Sequence, residues 1–170
     1  NNLASIAFIS KDYVNAEALF RQAINVSPNL SEAYINLGNI YSMTDQLDLA
    51  ISTFSDVIKL EPNSYIAYHQ LSLCFFKLKE LNSALNAIKI AVRINPSVAE
   101  LFTLLGQILE AKDMMNEAVS AYQQALRIQP NHMLALTSLG AAFLYMGDKN
   151  KAITAYENAL RYYPDDLGLL

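Results

Sequence analysis

The fold is decided by residues 34–62, which read YINLGNIYSMTDQLDLAISTFSDVIKLEP. Apolar and small residues recur at helical spacing in two blocks, which are separated by the polar triplet 44–46 and ended by a proline. The five prolines of the chain follow one another at intervals of 34 residues, at Pro28, Pro62, Pro96, Pro130 and Pro164. A fixed period of this length is typical of a repeat architecture, so the pattern predicts a stack of helix pairs.

Other columns of residues keep the same period. The alanine column contains Ala16, Ala50, Ala84, Ala118 and Ala152. A column of small residues contains Ala4, Gly38, Ser72, Gly106 and Gly140, and a column of large residues contains Phe20, Phe54, Ile88, Tyr122 and Tyr156. If Ser31 is position 1 of a repeat, small residues at positions 8 and 20 let two helices approach closely, and the large residue at position 24 fills the remaining space.

This pattern resembles the tetratricopeptide repeat family, whose signature runs through Leu-Gly, an aromatic residue, Ala, a second aromatic residue and Pro. The second repeat carries the signature at Tyr34, Leu37, Gly38, Tyr41, Ala50, Phe54, Val57 and Pro62. The resemblance implies an all-α fold, a right-handed superhelical solenoid of antiparallel helix pairs. We expect one solenoid with a partial repeat at 1–30, full repeats at 31–64, 65–98, 99–132 and 133–166, and the start of a further repeat at 167–170.

The two ends of the sequence fall inside repeats. In this register the chain starts at position 5 of one repeat and stops at position 4 of another, with no initiator Met or signal-peptide pattern. Terminal repeats normally need a polar outer face. We therefore expect the parent protein to carry more repeats on both sides, or an uncapped end to pack on another molecule.

Composition excludes several classes of protein. A hydrophobic share of 53% argues against disorder, and a formal net charge of −4 argues against nucleic-acid binding. No apolar run reaches the roughly 18 residues of a membrane span, so we expect no membrane insertion. One cysteine cannot form an internal disulfide. We expect an intracellular, cytoplasmic protein.

The sequence offers no catalytic or metal-binding pattern. Cys74 occupies a column that is otherwise apolar, which predicts a buried small side chain. His69 and His132 belong to different repeats and have no second ligand at metal-binding spacing. No nucleophile–base arrangement or Gly-rich phosphate loop is present. We therefore predict neither enzymatic activity nor a cofactor.

The face opposite the core side of each first helix is the candidate binding surface. It is centred on positions 2, 6, 9 and 13 and flanked by positions 5 and 12. The resemblance implies that this face lines a partner-binding groove. The predicted groove residues are Ile35, Asn36, Asn39, Met43, His69, Gln70, Leu73, Phe76, Lys77, Thr103, Leu104, Gln107, Glu110, Thr137, Ser138, Ala141, Leu144 and Tyr145.

The chemistry of these positions indicates the kind of partner. Lys77 is their only basic residue, whereas family members that bind the acidic tail of a chaperone use Lys and Arg there. We therefore do not expect an acidic-tail chaperone clamp. Amides suit the backbone of an extended peptide, and apolar groups suit an amphipathic helix. The alternative for Leu104 and Leu134 is packing between adjacent repeats.

A finer resemblance concerns the asparagines of the groove. Residues 2–5 and 34–39 look like repeats of the O-linked N-acetylglucosamine transferase superhelix, which holds peptide backbones with inner-face Asn. In the later repeats Gln70, Leu104 and Ser138 replace Asn2 and Asn36. Three hypotheses follow: a protein-interaction scaffold, the substrate-recruiting arm of a larger enzyme such as a glycosyltransferase, and a module that self-associates end to end.

Overall fold

The computed structural model describes residues 2–164, and this part of the chain contains ten α-helices and no strand. The helices are α1 (Asn2–Ile9), α2 (Tyr13–Val26), α3 (Ser31–Met43), α4 (Leu47–Leu60), α5 (Tyr65–Lys77), α6 (Leu81–Ile94), α7 (Ala99–Ala111), α8 (Met115–Ile128), α9 (Met133–Tyr145) and α10 (Lys149–Tyr162). The predicted all-α architecture of helix pairs is confirmed. The predicted start of a further repeat at 167–170 lies outside the described residues.

The connections alternate in length along the chain. Three residues join the helices of a pair, as between Met43 and Leu47, and four residues, including the periodic proline, separate one pair from the next. Packed helices joined by such short turns run antiparallel. The turn before α10 spans residues 146–148, and the Asp148 carboxylate accepts the backbone N–H of Lys151 at 3.1 Å.

The helices form two compact units. Unit 1 spans Asn1–Ile94 and unit 2 spans Asn95–Leu170. Within unit 1 each helix packs on the next one along the chain, and the first helices α3 and α5 also contact each other. Unit 2 repeats this arrangement, with α7 contacting α9.

The two helices of a pair pack together where a glycine of the first helix lies under an aromatic ring of the second. In unit 1 a Cβ added to Gly38 would lie 2.6 Å from Cε1 of Phe54, and in unit 2 the rings of Tyr122 and Tyr156 cover Gly106 and Gly140 in the same way. Ser72 takes the glycine's place in the third repeat, and its buried hydroxyl donates to the Ala84 carbonyl at 2.9 Å. The small column therefore makes room for the side chain at position 24 as well as for the neighbouring backbone.

Candidate functional site

The candidate face of unit 1 consists of one side of α3 and one side of α5. Met43 is 58% exposed and Ile66 is 40% exposed, and Lys77 also lies in solvent. The remaining predicted residues of this face are half-buried: Ile35, Asn36, Asn39, His69, Gln70, Leu73 and Phe76. The structure thus leaves part of each predicted side chain of α3 and α5 accessible to a partner.

Lys77 has a structural role at the edge of this face. Its Nζ donates to the Ser42 carbonyl at 2.9 Å and lies 3.3 Å from the Ser42 hydroxyl oxygen. The last carbonyls of a helix have no partner within the helix, and a cation there also interacts favourably with the helix dipole. The only cation of the predicted groove therefore ties the C-terminal end of α3 to α5.

The candidate face of unit 2, called the α7–α9 face below, is formed by Gln107 and Glu110 of α7 and by one stripe of α9. The stripe contains Leu134, Thr137, Ser138, Ala141, Leu144 and Tyr145, of which Leu144 is 52% exposed and Tyr145 is 70% exposed. Residues between them in the sequence, including Leu136, Leu139 and Phe143, are buried. An exposed apolar stripe on a helix whose other side is core is typical of a protein-binding surface.

Two of the predicted groove residues do not line an open surface. Thr103 is 2% exposed and Leu104 is 3% exposed. The Thr103 hydroxyl donates to the Ala99 carbonyl at 3.0 Å within the same helix, so it needs no contact with water. Because α7 is apolar around most of its circumference, it buries these positions too, as a helix without a polar face does. The prediction that both residues line the groove is therefore wrong.

A buried polar group that the sequence pattern does not predict lies beneath the α7–α9 face. The hydroxyl of the fully buried Tyr122, on α8, donates to Oε2 of Glu110 at 2.7 Å and accepts a hydrogen bond from Ser138. Burial raises the pKa of Tyr122, and the neighbouring Glu110 carboxylate raises it further. One signal in the sequence could have indicated this contact: a tyrosine stands where other repeats have Phe54 or Ile88, and a buried tyrosine needs a polar partner.

The remaining candidate residues serve the fold. Cys74 is buried, as predicted, and burial raises the pKa of its thiol, which a hydrogen bond with Ser42 partly offsets. His132 caps α9, because its Nδ1 accepts the N–H of Ala135 at 3.3 Å. Its Nε2 lies 3.8 Å from Glu100. Within residues 2–164 no three His, Cys, Asp or Glu side chains are grouped so that they could hold a metal ion.

A cavity of about 290 Å³ lies elsewhere in unit 1, between α2, α3 and α4. Arg21 lines it, but the guanidinium donates to the Tyr41 hydroxyl at 2.8 Å and pairs with Glu17 at 3.0 Å. The positive charge in the cavity is therefore already matched by an acid, which gives no reason to assign an anionic ligand to it.

Comparison with known proteins identifies the class of protein. Two sequence profiles described as tetratricopeptide repeat match residues 7–73 and 97–165, which together make up most of the chain. The chain therefore belongs to the tetratricopeptide repeat family, whose members are generally protein-interaction scaffolds without catalytic activity. No sequence among the curated proteins matches it.

Solved structures with the same fold are distant in sequence. A crystal structure of MamA has a TM-score of 0.86 and 22% identity, over 97% of this chain and 96% of that one. YrrB, described as a TPR protein with an unusual peptide-binding site, has a TM-score of 0.78 and 22% identity, over 99% and 87% of the two chains. TTC0263, a thermophilic TPR protein of Thermus thermophilus, has a TM-score of 0.79 and 24% identity, over 99% of this chain and 92% of that one.

Across residues 2–164 no helix combines the length and the apolarity that crossing a bilayer requires.

Proposed function

We propose that this chain is a non-catalytic scaffold that binds a peptide or an amphipathic helix of a partner protein on the first-helix faces of its two units. The observation that carries the proposal is the exposed stripe of α9, where Leu144 and Tyr145 remain in solvent on a helix whose other side is core. Covering such a stripe with an apolar segment is favourable by roughly 25 cal/mol for each Å² of apolar surface removed from water.

A charge introduced on each face tests the proposal. We expect Leu73→Glu in unit 1 and Leu144→Glu in unit 2 to abolish capture of the partner in a pull-down, because a carboxylate cannot be buried without a partner of its own. Leu49→Glu is the matched control, since Leu49 is 45% exposed on the second helix α4, outside both faces. Circular dichroism checks that all variants stay helical. The proposal is contradicted if the same proteins are captured by the wild type and by both face variants.

Self-association is a second candidate function, supported by the exposure of α1. Leu3 is 71% exposed and Ile6 is 63% exposed, whereas the equivalent Leu37 and Ile40 of α3 are buried against the rest of unit 1. A cavity of about 380 Å³ adjoins Leu3, between α1 and α2. Helix α10 of a second copy, which exposes Ile153 and Tyr162, offers the apolar surface that would cover this face.

Sedimentation velocity over a range of concentrations tests the second candidate. The wild type should increase in mass above 18.9 kDa as the concentration rises, and the double variant Leu3→Glu/Ile6→Glu should stay a monomer. A wild type that is monomeric at every concentration rules out association through this face, and leaves the partner-binding proposal intact.

A further inference from the structure

The carboxylate of Glu110 is held in place on the α7–α9 face. Glu110 lies in the last turn of α7 and is half-buried, and the Tyr122 hydroxyl donates to its Oε2 at 2.7 Å. The ring of Tyr122 is itself fixed, because it is fully buried and lies directly on Gly106. A rigid donor of this kind restricts the rotamers of the carboxylate before any ligand arrives.

The contact with Tyr122 orients Glu110 without neutralising it. Burial raises the pKa of Tyr122, so the phenol keeps its proton at neutral pH and acts as a hydrogen-bond donor. A neutral donor leaves the negative charge of an ionised carboxylate in place, and the second carboxylate oxygen retains its lone pairs. A cation is the electrostatic complement of such a group.

The surroundings of Glu110 also favour a positive charge. The residues that make up this face include the acidic Glu110 and no Lys or Arg. The exposed ring of Tyr145 donates its hydroxyl to Asp113 at 3.3 Å, only three residues after Glu110. An aromatic ring attracts Lys and Arg through its π face, and the C-terminal end of a helix favours cations as well. Leu144, beside Tyr145 in the sequence, adds apolar surface.

We propose that the α7–α9 face selects a partner segment that presents a Lys or Arg side chain among apolar residues. Glu110 receives the cation, Leu144 and Tyr145 contact the apolar residues, and Tyr122 acts as a positioning residue for Glu110. This inference rests on the proposed function and adds the charge of the partner to it. The expected preference is for a basic partner segment, whereas a groove that binds acidic tails prefers a negatively charged one.

Peptides that differ at one position test the charge preference. The probes are three labelled 12-residue amphipathic peptides of Leu, Ala and Gln with Lys, Gln or Glu at the central position, titrated into the full chain by NMR and fluorescence anisotropy. Shifts at the amides of Ala141 and Leu144 report binding to this face. We expect the Lys peptide to bind about tenfold more tightly than the Gln peptide, which is the typical effect of one hydrogen-bonded charge.

Variants of Glu110 separate the possible outcomes. Glu110→Gln keeps an acceptor for the Tyr122 hydroxyl but removes the charge, so the Lys and Gln peptides should bind this variant equally. The control is Glu157→Gln, which removes the same charge from an exposed position on α10 and should keep the preference for the Lys peptide. Equal binding of the two peptides to the wild type, or a preference that survives in Glu110→Gln, overturns the inference and leaves the scaffold proposal standing. No shift with any peptide contradicts the scaffold proposal for this face as well.

The positioning role of Tyr122 has its own readout. Tyr122→Phe removes the hydroxyl and keeps the ring on Gly106, so the Gln peptide should bind as it does to the wild type. The preference for Lys over Gln should fall to about threefold, because Glu110 loses its fixed orientation. A purely structural role would weaken both peptides alike and leave the preference unchanged, and that result would overturn the assignment.

Discussion

Gly106 has no space for a side chain because the ring of Tyr122 occupies it. A Cβ at this position would lie 2.6 Å from Cδ1 of Tyr122, closer than packed carbon atoms approach. Ala is a better helix former than Gly by about 1 kcal/mol, so helix propensity alone would favour the substitution. Overpacking of a buried ring typically costs about 1–3 kcal/mol. At this residue the steric term is the larger one.

We therefore predict that Gly106→Ala lowers the free energy of unfolding by about 1 kcal/mol, measured by urea denaturation. The same substitution in a Tyr122→Ala background should be neutral or stabilising, because the ring that it contacts is gone. This double-mutant cycle isolates the contact between the two residues. If Gly106→Ala costs the same in both backgrounds, the ring is not the cause.

The pH dependence of stability should carry the signature of Tyr122. An unfolded tyrosine has a pKa of about 10, and burial raises the pKa of Tyr122 in the folded chain above it. Between these two pKa values the unfolded chain has lost a proton that the folded chain keeps. The free energy of unfolding therefore falls as pH rises above about 10, and it stops falling when the folded-state pKa is reached.

Tyr122→Phe should remove this contribution. Between pH 9 and 11 we expect the free energy of unfolding of this variant to fall less steeply than that of the wild type. The two slopes should differ by up to about 1.4 kcal/mol per pH unit. Urea titrations followed by circular dichroism at each pH measure both slopes. At neutral pH the variant should be about 1 kcal/mol less stable, since it loses the hydrogen bond to Glu110. Tyr145→Phe, at an exposed site, is the control. Parallel curves for Tyr122→Phe and the wild type would contradict the prediction.

The turn inside each helix pair has the same backbone conformation in all five repeats. Its middle residue has a positive φ: Lys11 (62°), Asp45 (60°), Lys79 (61°), Asp113 (60°) and Gly147 (80°). The next residue donates its N–H to a carbonyl in the last turn of the first helix, as from Glu80 to Phe75 at 2.9 Å. This is the left-handed termination that favours glycine, and only the fifth repeat has one there.

Exchanging the residue types of these turns should shift stability in opposite directions. We predict that Lys79→Gly stabilises the chain by about 0.5–1 kcal/mol. The left-handed conformation costs a non-glycine residue roughly 1–2 kcal/mol, and glycine avoids this strain. Part of the gain is lost because glycine makes the unfolded chain more disordered and therefore more favourable. Gly147→Ala should destabilise by a similar amount, although nothing lies within 4 Å of an added Cβ. Thermal denaturation measures both, and a stabilising Gly147→Ala would contradict the strain argument.

The sequence predicts the helices better than the faces they expose. Pro62 and its equivalents mark the ends of the pairs, and the small residues mark where two helices meet, because both depend on backbone geometry that one residue can set. The burial of Thr103 and Leu104 does not follow from the spacing in the same way. Helical periodicity separates an apolar side from a polar one, and α7 has apolar residues on nearly every side.

The position of the Tyr122 hydroxyl shows a second limit. Periodicity assigns Tyr122 to the core, and its ring does lie there. Its oxygen nevertheless extends from α8 to the α7–α9 face, where it meets Glu110 and Ser138 from two other helices. Spacing along one helix predicts the direction in which a side chain points. It does not predict which groups of the neighbouring helices lie beside the end of that side chain.

Burial is unevenly distributed among the helices of unit 1. In α1 only Ala4 of the described side chains is buried, whereas α3 buries six residues, among them Leu37 and Ile40. In a repeat protein each element is stabilised mainly by its immediate neighbours. Local opening therefore costs least where few apolar contacts are lost, so α1 can open while α3 remains folded.

Amide hydrogen exchange of the full chain measures this difference directly. We predict that the hydrogen-bonded amides of α1 exchange at least about 30-fold faster than those of α3, which corresponds to roughly 2 kcal/mol less free energy of opening. Phe54→Ala, which empties a fully buried site beside Gly38, should cost about 3–5 kcal/mol and speed exchange in α3 and α4. In this variant exchange in α1 should change less than in α3, because α1 opens through its own local route. Equal protection of α1 and α3 in the wild type would mean that they open together, and nearest-neighbour stabilisation would then not describe this unit.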